Sequence, residues 1–219
     1  MTKPPGKTGH QAQDKTAEVN PDALEPESDE RRLAILEAAL ACFFQYGYSR
    51  TRMEDIARTA GISRPNLYNS FRNKEAIFIA ASAQLMATSL RGVIDSLSKP
   101  GPAWARIAAA FETSVVAQIE LMQQSGHANE LLEAANALAL PIVDRYHTRL
   151  IGLLAQTLED ADRDGSLALD RVGASAHAIA DVVVMASQGF KAGEVSIPQY
   201  RQRLRVLLDL LAHATAKTD

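Results

Sequence analysis

The chain has 219 residues, 47% of them hydrophobic and only 5% aromatic, with few Gly and Pro. That is material enough for one large or two modest helical domains with a buried core. The formal net charge of −3 excludes a protein that coats nucleic acid by bulk positive charge. The single cysteine, Cys42, excludes an internal disulfide. Flanked by Leu40, Phe43 and Phe44, Cys42 is expected to be a buried apolar residue in a reducing cytosol.

Residues 1–28 are polar and lack apolar periodicity, so a disordered tail is expected there. The Met1 to Ser28 start has no hydrophobic segment of a signal peptide. No apolar run is expected to approach the roughly 20 residues that span a bilayer. A cytoplasmic protein is therefore expected. Lys plus Arg against Asp plus Glu runs 3 to 5 in residues 1–28, 8 to 6 in 29–80 and 12 to 15 in 81–219. Only the middle segment is basic, and by so little that contacts to phosphate must come from a few placed groups.

From Asp29, apolar Leu33, Leu36, Ala39, Leu40 and Phe43 recur at helical spacing, and Gly47 is placed to end that helix. Thr51 to Glu54 reads as a Thr-x-x-Glu capping box for a short second helix from about Arg52 to Ala60. Gly61 supplies a turn. Ser63 caps a third helix of about Arg64 to Phe71, with Pro65 tolerated in its first turn. Two short helices joined by a few residues that include Gly, the second led by polar side chains, are the pattern of a helix-turn-helix. Its small core is expected from Ile56, Ala57, Ile62 and Leu67. Long amphipathic helices then follow at about Lys74–Leu97, Ala103–Gln124, Ala128–Leu140, Ile142–Asp162, Val172–Lys191 and Ile197–Ala214, with breaks at KPGP, SGH, Pro141, DRDG, AGE and Pro198.

The blocks ILEAALACFFQYGY (35–48), TRMEDIARTAGIS (51–63) and LYNSFRNKEAIF (67–78) resemble the N-terminal domain of the tetracycline-repressor (TetR) family of bacterial transcriptional regulators. The resemblance implies an all-α protein: a tail at 1–28, a three-helix helix-turn-helix domain at 29–75, and a larger effector-binding and dimerisation domain at 76–219. It also implies that Arg64, Asn66 and Asn69 face base edges in the major groove, with Pro65 against a thymine methyl. Thr51, Arg52, Ser63, Tyr68 and Lys74 would then hold phosphates. Arg suits the O6 and N7 of guanine and Asn the N6 and N7 of adenine. Taken alone, Tyr68 reads more readily as a packed ring with its hydroxyl in solvent, and Lys74 as an ordinary solvated charge. Arg64-Pro65-Asn66 departs from the small residues frequent at the start of this helix in the family, so no base preference carries over.

One such motif touches few base pairs, and specificity needs two copies about 34 to 36 Å apart, hence a homodimer. Segment 182–190 (VVVMASQGF) and the strip Leu204, Leu207, Leu208, Leu211 mark the last two helices as the interface, with Val183, Val184 and Phe190 contributing. The alternative is that these residues are one subunit's own core. The middle helices are expected to enclose a small-molecule effector, with Trp104, Phe111, Met122, His127, Tyr146 and His147 as candidate contacts or ordinary packing residues. The resemblance implies a repressor released from a palindromic operator by that effector. Asp160, Asp162, Asp164 and Gly165 match half of a calcium loop, but Arg171 stands where its bidentate Glu belongs, so no metal site and no cofactor are expected. The five histidines are scattered, and no HExxH, GxSxG or Gly-rich phosphate loop occurs, so no enzyme is expected.

Overall fold

The computed structural model describes Leu24 and residues 26–191 and 195–217, and every regular element among them is helical. Helix α1 (Glu30–Tyr46) begins at Asp29, whose carboxylate accepts the amides of Arg31 (2.9 Å) and Arg32 (3.4 Å). It ends at Gly47, which has φ +80° and donates its amide to Phe43 O. Helix α2 (Met53–Thr59) is capped differently from the expected box. The cap residue is Arg52, whose amide donates to Asp55 Oδ2 at 3.1 Å. Thr51 lies one residue too early and is turned inward, its hydroxyl donating to Gly47 O (2.6 Å) and Cys42 O (3.2 Å). Gly61, at φ +67°, makes the turn into α3 (Arg64–Ser70), where Ser63 Oγ accepts the Asn66 amide.

These three helices bury Ile35, Leu36, Ala39, Cys42, Phe43, Met53, Ile56, Ala57 and Leu67. Ile62, expected in the same core, is only partly buried against it. Helix α4 (Lys74–Leu97), capped by Asn73, completes this small core with Ile77 and Phe78. The Phe78 ring stands edge-on to Phe43 (5.2 Å) and Tyr48 (5.0 Å). By length and by a mean hydropathy of 1.5, α4 is apolar enough to cross a membrane, which corrects the expectation that no segment approaches that composition. Its apolar residues feed both cores of the fold, from Ile77 in the small one to Val93 and Leu97 in the large one.

The expected single helix from Ala103 to Gln124 is interrupted. Helix α5 (Ala103–Phe111) passes through a π-helical turn (Glu112–Val116) into α6 (Ala117–Gln123). Thr113 and Ser114 sit in that turn, and their hydroxyls donate back to Ala109 O and Ala110 O, the kind of side-chain competition that widens a helix locally. Helices α7 (Ala128–Leu138), α8 (Leu140–Arg163), α9 (Ala176–Gly189) and α10 (Ile197–Ala214) follow, with a 3₁₀ turn at Leu169–Arg171. Pro141 belongs to the first turn of α8 rather than to a break before it. The acidic turn uses its carboxylates internally: Asp162 accepts the Leu169 amide, Asp164 the Ser166 amide, and Asp160 pairs with Arg163.

The two cores are joined by more than α4. Leu131 and Ala134 of α7 pack into the small core, Ser125 Oγ donates to Phe44 O at 2.8 Å, and the Glu130 carboxylate accepts the Ser49 amide at 2.6 Å. Glu130 closes directly over Gly47, where an added Cβ would meet Glu130 Oε2 at 2.2 Å. Gly47→Ala is therefore expected to lose more stability in urea unfolding than the roughly 1 to 3 kcal/mol of such a backbone conformation alone. Gly61→Ala, with open space around it, should lose only the conformational part. Equal losses for the two would refute the close approach.

Candidate nucleic-acid interface

Helix α3 buries one side chain, Leu67, and leaves Arg64, Pro65, Asn66, Tyr68 and Asn69 exposed. Leu67 is 0% exposed while Tyr68 next to it is 42% exposed. A helix pinned by one leucine and a serine cap presents the rest of its polar surface outward. The Arg64 guanidinium pairs with Glu54 Oε1 of α2 at 2.8 Å and lies 5.9 Å from the Tyr68 ring. Arg52 and Ser63, at the starts of α2 and α3, are exposed as well.

Two expected phosphate ligands stand elsewhere. Thr51 is 1% exposed, with its hydroxyl engaged by two carbonyls, so it holds the α1–α2 turn and does not reach a phosphate. Lys74 is half-buried. Its ammonium donates to Tyr48 O (2.7 Å) and Ser49 O (3.2 Å) and lies 4.4 Å from the Tyr48 ring. Burial lowers the Lys74 pKa, against a smaller upward pull from Glu130. The group thus fastens α4 to the turn before α2 and is not a free cation. The sequence reading passed over Arg50 and Arg72, exposed in the loops before α2 and α4. The local excess of basic residues was the only signal for them.

The residues expected at a dimer interface divide by burial. Val183, Val184, Leu204 and Leu208 are 0 to 4% exposed inside the subunit's own core. Phe190, Leu207 and Leu211 are partly buried against that core. The apolar residues that α9 and α10 turn outward are Val182, Met185, Val206 and Leu210, exposed by 45 to 66%. Four of the seven residues read from the sequence as an interface are thus interior, because α9 is apolar nearly all round and periodicity gives it no direction.

The six candidate effector contacts divide between the cores: Trp104, Phe111 and Tyr146 belong to the larger one, whereas Met122 packs against the small one. Trp104 is buried with its indole N–H donating to Thr215 Oγ1 at 3.0 Å, tying α5 to the end of α10, and Phe111 is ordinary core. Met122 packs against the small core, and His127 precedes α7 with Nδ1 3.8 Å from Glu130. Tyr146 and His147 remain adjacent, rings 5.7 Å apart. Tyr146 OH is hydrogen-bonded to Ser89 Oγ (3.1 Å), which also accepts from Gln118 Nε2 (3.4 Å). Burial pushes the Tyr146 hydroxyl pKa up, against bonds from Ser89, Ser114 and Gln118. Tyr200, fully buried, has an OH with no partner in good hydrogen-bond geometry among the described residues; burial raises its pKa, against a smaller downward pull from the nearby Ser187 hydroxyl. His147 and Lys191 are both shifted toward their neutral forms by burial, and the Lys191 charge further lowers His147. Inside the larger domain, then, lies a set of polar side chains from α4, α6, α8 and α10 that local sequence could not assemble.

A capped helix with an exposed polar face, set after a second short helix in a three-helix unit and joined to a larger helical domain, is the architecture of a helix-turn-helix unit. Residues 35–81 match the model of bacterial regulatory proteins of the tetR family. The match covers 47 of the 219 residues, the three-helix unit and the start of α4, so over that stretch the chain is similar to the family's N-terminal domain. Among relatives, it is 46% identical over 56 residues to the HTH-type transcriptional regulator RutR of Escherichia coli, a match covering 26% of each chain. It is 34% identical over 84 residues to the HTH-type transcriptional activator FasR of Mycolicibacterium smegmatis, covering 38% of each. These matches span between a quarter and two fifths of the relatives' length. Its fold is similar over most of the chain to that of SmeT, the repressor of the Stenotrophomonas maltophilia multidrug efflux pump SmeDEF (TM-score 0.61, 21% identity, 85% of this chain and 90% of that one). It is similar likewise to a transcriptional regulator from Cytophaga hutchinsonii (TM-score 0.68, 16% identity, 84% and 97%).

Proposed function

We propose that this protein is a cytoplasmic homodimeric repressor that binds a palindromic operator through α3 and leaves it when a small-molecule effector occupies the larger domain. The observation that carries the reading is the outward face of α3. Arg64, Pro65, Asn66 and Asn69 are solvent-exposed on a helix whose position is set by Leu67 and Ser63. Base edges are read by Arg64, Asn66 and Asn69, with Pro65 against a thymine methyl. Phosphates are held by Arg52, Ser63 and Tyr68, joined by Arg50 and Arg72. The protein acts by binding and not by catalysis.

The dimer forms through Val182, Met185, Val206 and Leu210, since an exposed apolar patch on two adjacent helices is a surface awaiting a partner. The effector site centres on Tyr146, Ser89, Gln118 and Tyr200. A buried hydroxyl without a partner is costly to keep, and a ligand acceptor would relieve that cost. Tyr200→Phe should accordingly leave the Tm of the unliganded protein equal or higher, yet weaken the response to an effector. A metabolite screen by thermal shift, followed by DNA release at the same concentration, tests the scheme. A compound that raises Tm and leaves DNA affinity unchanged would count against release. Moving a two-state equilibrium from 1:99 to 99:1 takes about 5.5 kcal/mol of differential affinity.

A further inference from the structure

Just ahead of α1, Leu24 and Glu27 are tied to the rest of the fold. Leu24 packs against the larger core. Three residues on, the Glu27 amide donates to Gln84 Oε1 of α4 at 2.8 Å. The Glu27 carboxylate accepts from Arg32 Nε at 2.8 Å through one oxygen and from the amides of Ser28 and Asp29 through the other. Arg32, on the first turn of α1, reaches the far end of α3. Its Nη1 donates to Ser70 O at 3.2 Å, and its guanidinium lies 4.5 Å from the centre of the Phe71 ring.

Ser70 O is one of the last carbonyls of α3, which the helix itself leaves without a partner. Arg32 provides that partner and stacks on the aromatic residue that ends the helix. The Glu27 and Arg32 side chains are only 23% and 18% exposed, so this is not a pair that water and salt dissolve. Burial alone would raise the Glu27 pKa. The bonds from Arg32 and the two amides outweigh it and hold the carboxyl below its ordinary range, charged and anchored.

We propose that Leu24 and residues 26–32 act as a strap through which the larger domain positions the recognition helix, with Arg32 as the positioning residue and Glu27 as its anchor. The inference rests on α3 being the helix that reads DNA. Leu24 fixes one end to the larger core, Gln84 holds the middle to α4, and Arg32 holds the C-terminal end of α3. A change in the angle of α4 moves Gln84 relative to α1, draws on Glu27 and loosens Arg32 from Ser70 O. Lys74 fastens the opposite end of the reading head to the same helix, so α4 grips it at two separated points.

The test uses the full chain with Arg32→Lys, which keeps the charge and loses the planar fork, Glu27→Gln, and Gln84→Ala. Two quantities are read: the ratio of affinities for the protein's own upstream duplex and a scrambled duplex at one salt concentration, and amide hydrogen exchange across residues 64–71. Each variant is expected to lower the ratio about twofold to thirtyfold, the range for coupling residues that touch no ligand, and to speed exchange in α3. Glu27→Gln should add little in the Arg32→Lys background. Exchange in α3 that stays at the parent rate in Arg32→Lys and Gln84→Ala overturns the strap. Arg64→Ala is the control: if it leaves the ratio unaltered, α3 is not the reading helix, while the exchange measurement still decides the strap.

Discussion

Replacing Arg64 and Asn66 together by Ala is expected to remove the protein's preference for its own upstream duplex over a scrambled one, while mass and helical content stay those of the parent. Each good bidentate contact to a base edge discriminates by about 1 to 3 kcal/mol, which is roughly 5-fold to 150-fold per contact. In a dimer every contact occurs twice. Both side chains are exposed, and neither supports the core, so folding does not compete with binding as an explanation. Arg64 must leave Glu54 to reach a base, and an exposed pair of this kind opposes that by no more than about 1 kcal/mol. The comparison requires one fixed salt concentration, because the phosphate contribution varies steeply with salt and is common to both duplexes. A shift assay giving the same ratio for double variant and parent would end the base-reading assignment. Arg52→Ala, by contrast, should weaken both duplexes equally and lower the salt dependence by about one ion per subunit.

How far the sequence could be followed depended on whether a feature was local. Asp29, Ser63, Gly47 and Gly61 were legible because capping and positive φ are decided within a few residues. The α2 cap went to Arg52 and Asp55 and not to Thr51. Thr51 could satisfy its hydroxyl on Gly47 O and Cys42 O, and a tertiary carbonyl outranked the local box. The same competition moved Lys74 from a phosphate hand to a fastening, since the carbonyls of Tyr48 and Ser49 come from some 25 residues away and no window around Lys74 contains them. The π turn was hidden because nothing in ETSVV breaks a 3.6-residue period; the widening comes from two hydroxyls bonding back. Tyr146, Ser89, Gln118 and Tyr200 lie on four different helices, and only packing brings them to one place.

Met185→Glu combined with Leu210→Glu is expected to give a folded monomer in sedimentation, with the Tm of the parent extrapolated to low protein concentration. Its affinity for a palindromic duplex should fall by about 10² to 10⁴, the gain that linking two binding events ordinarily supplies. The physical contrast is with Val184→Glu, at the position next to Met185 on α9. Val184 is 0% exposed in the subunit core, where an unpaired carboxylate costs several kcal/mol and unfolding follows. Met185 and Leu210 are 45% and 66% exposed, so in an isolated subunit a charge there meets water at little cost. Only when the two faces close against a second copy does each carboxylate lose its water, and it then stands near its own twofold mate. The penalty therefore falls on association alone. Should the Met185, Leu210 double variant remain dimeric at micromolar concentration, the outward faces of α9 and α10 are not the interface, and the two reading heads must be joined elsewhere.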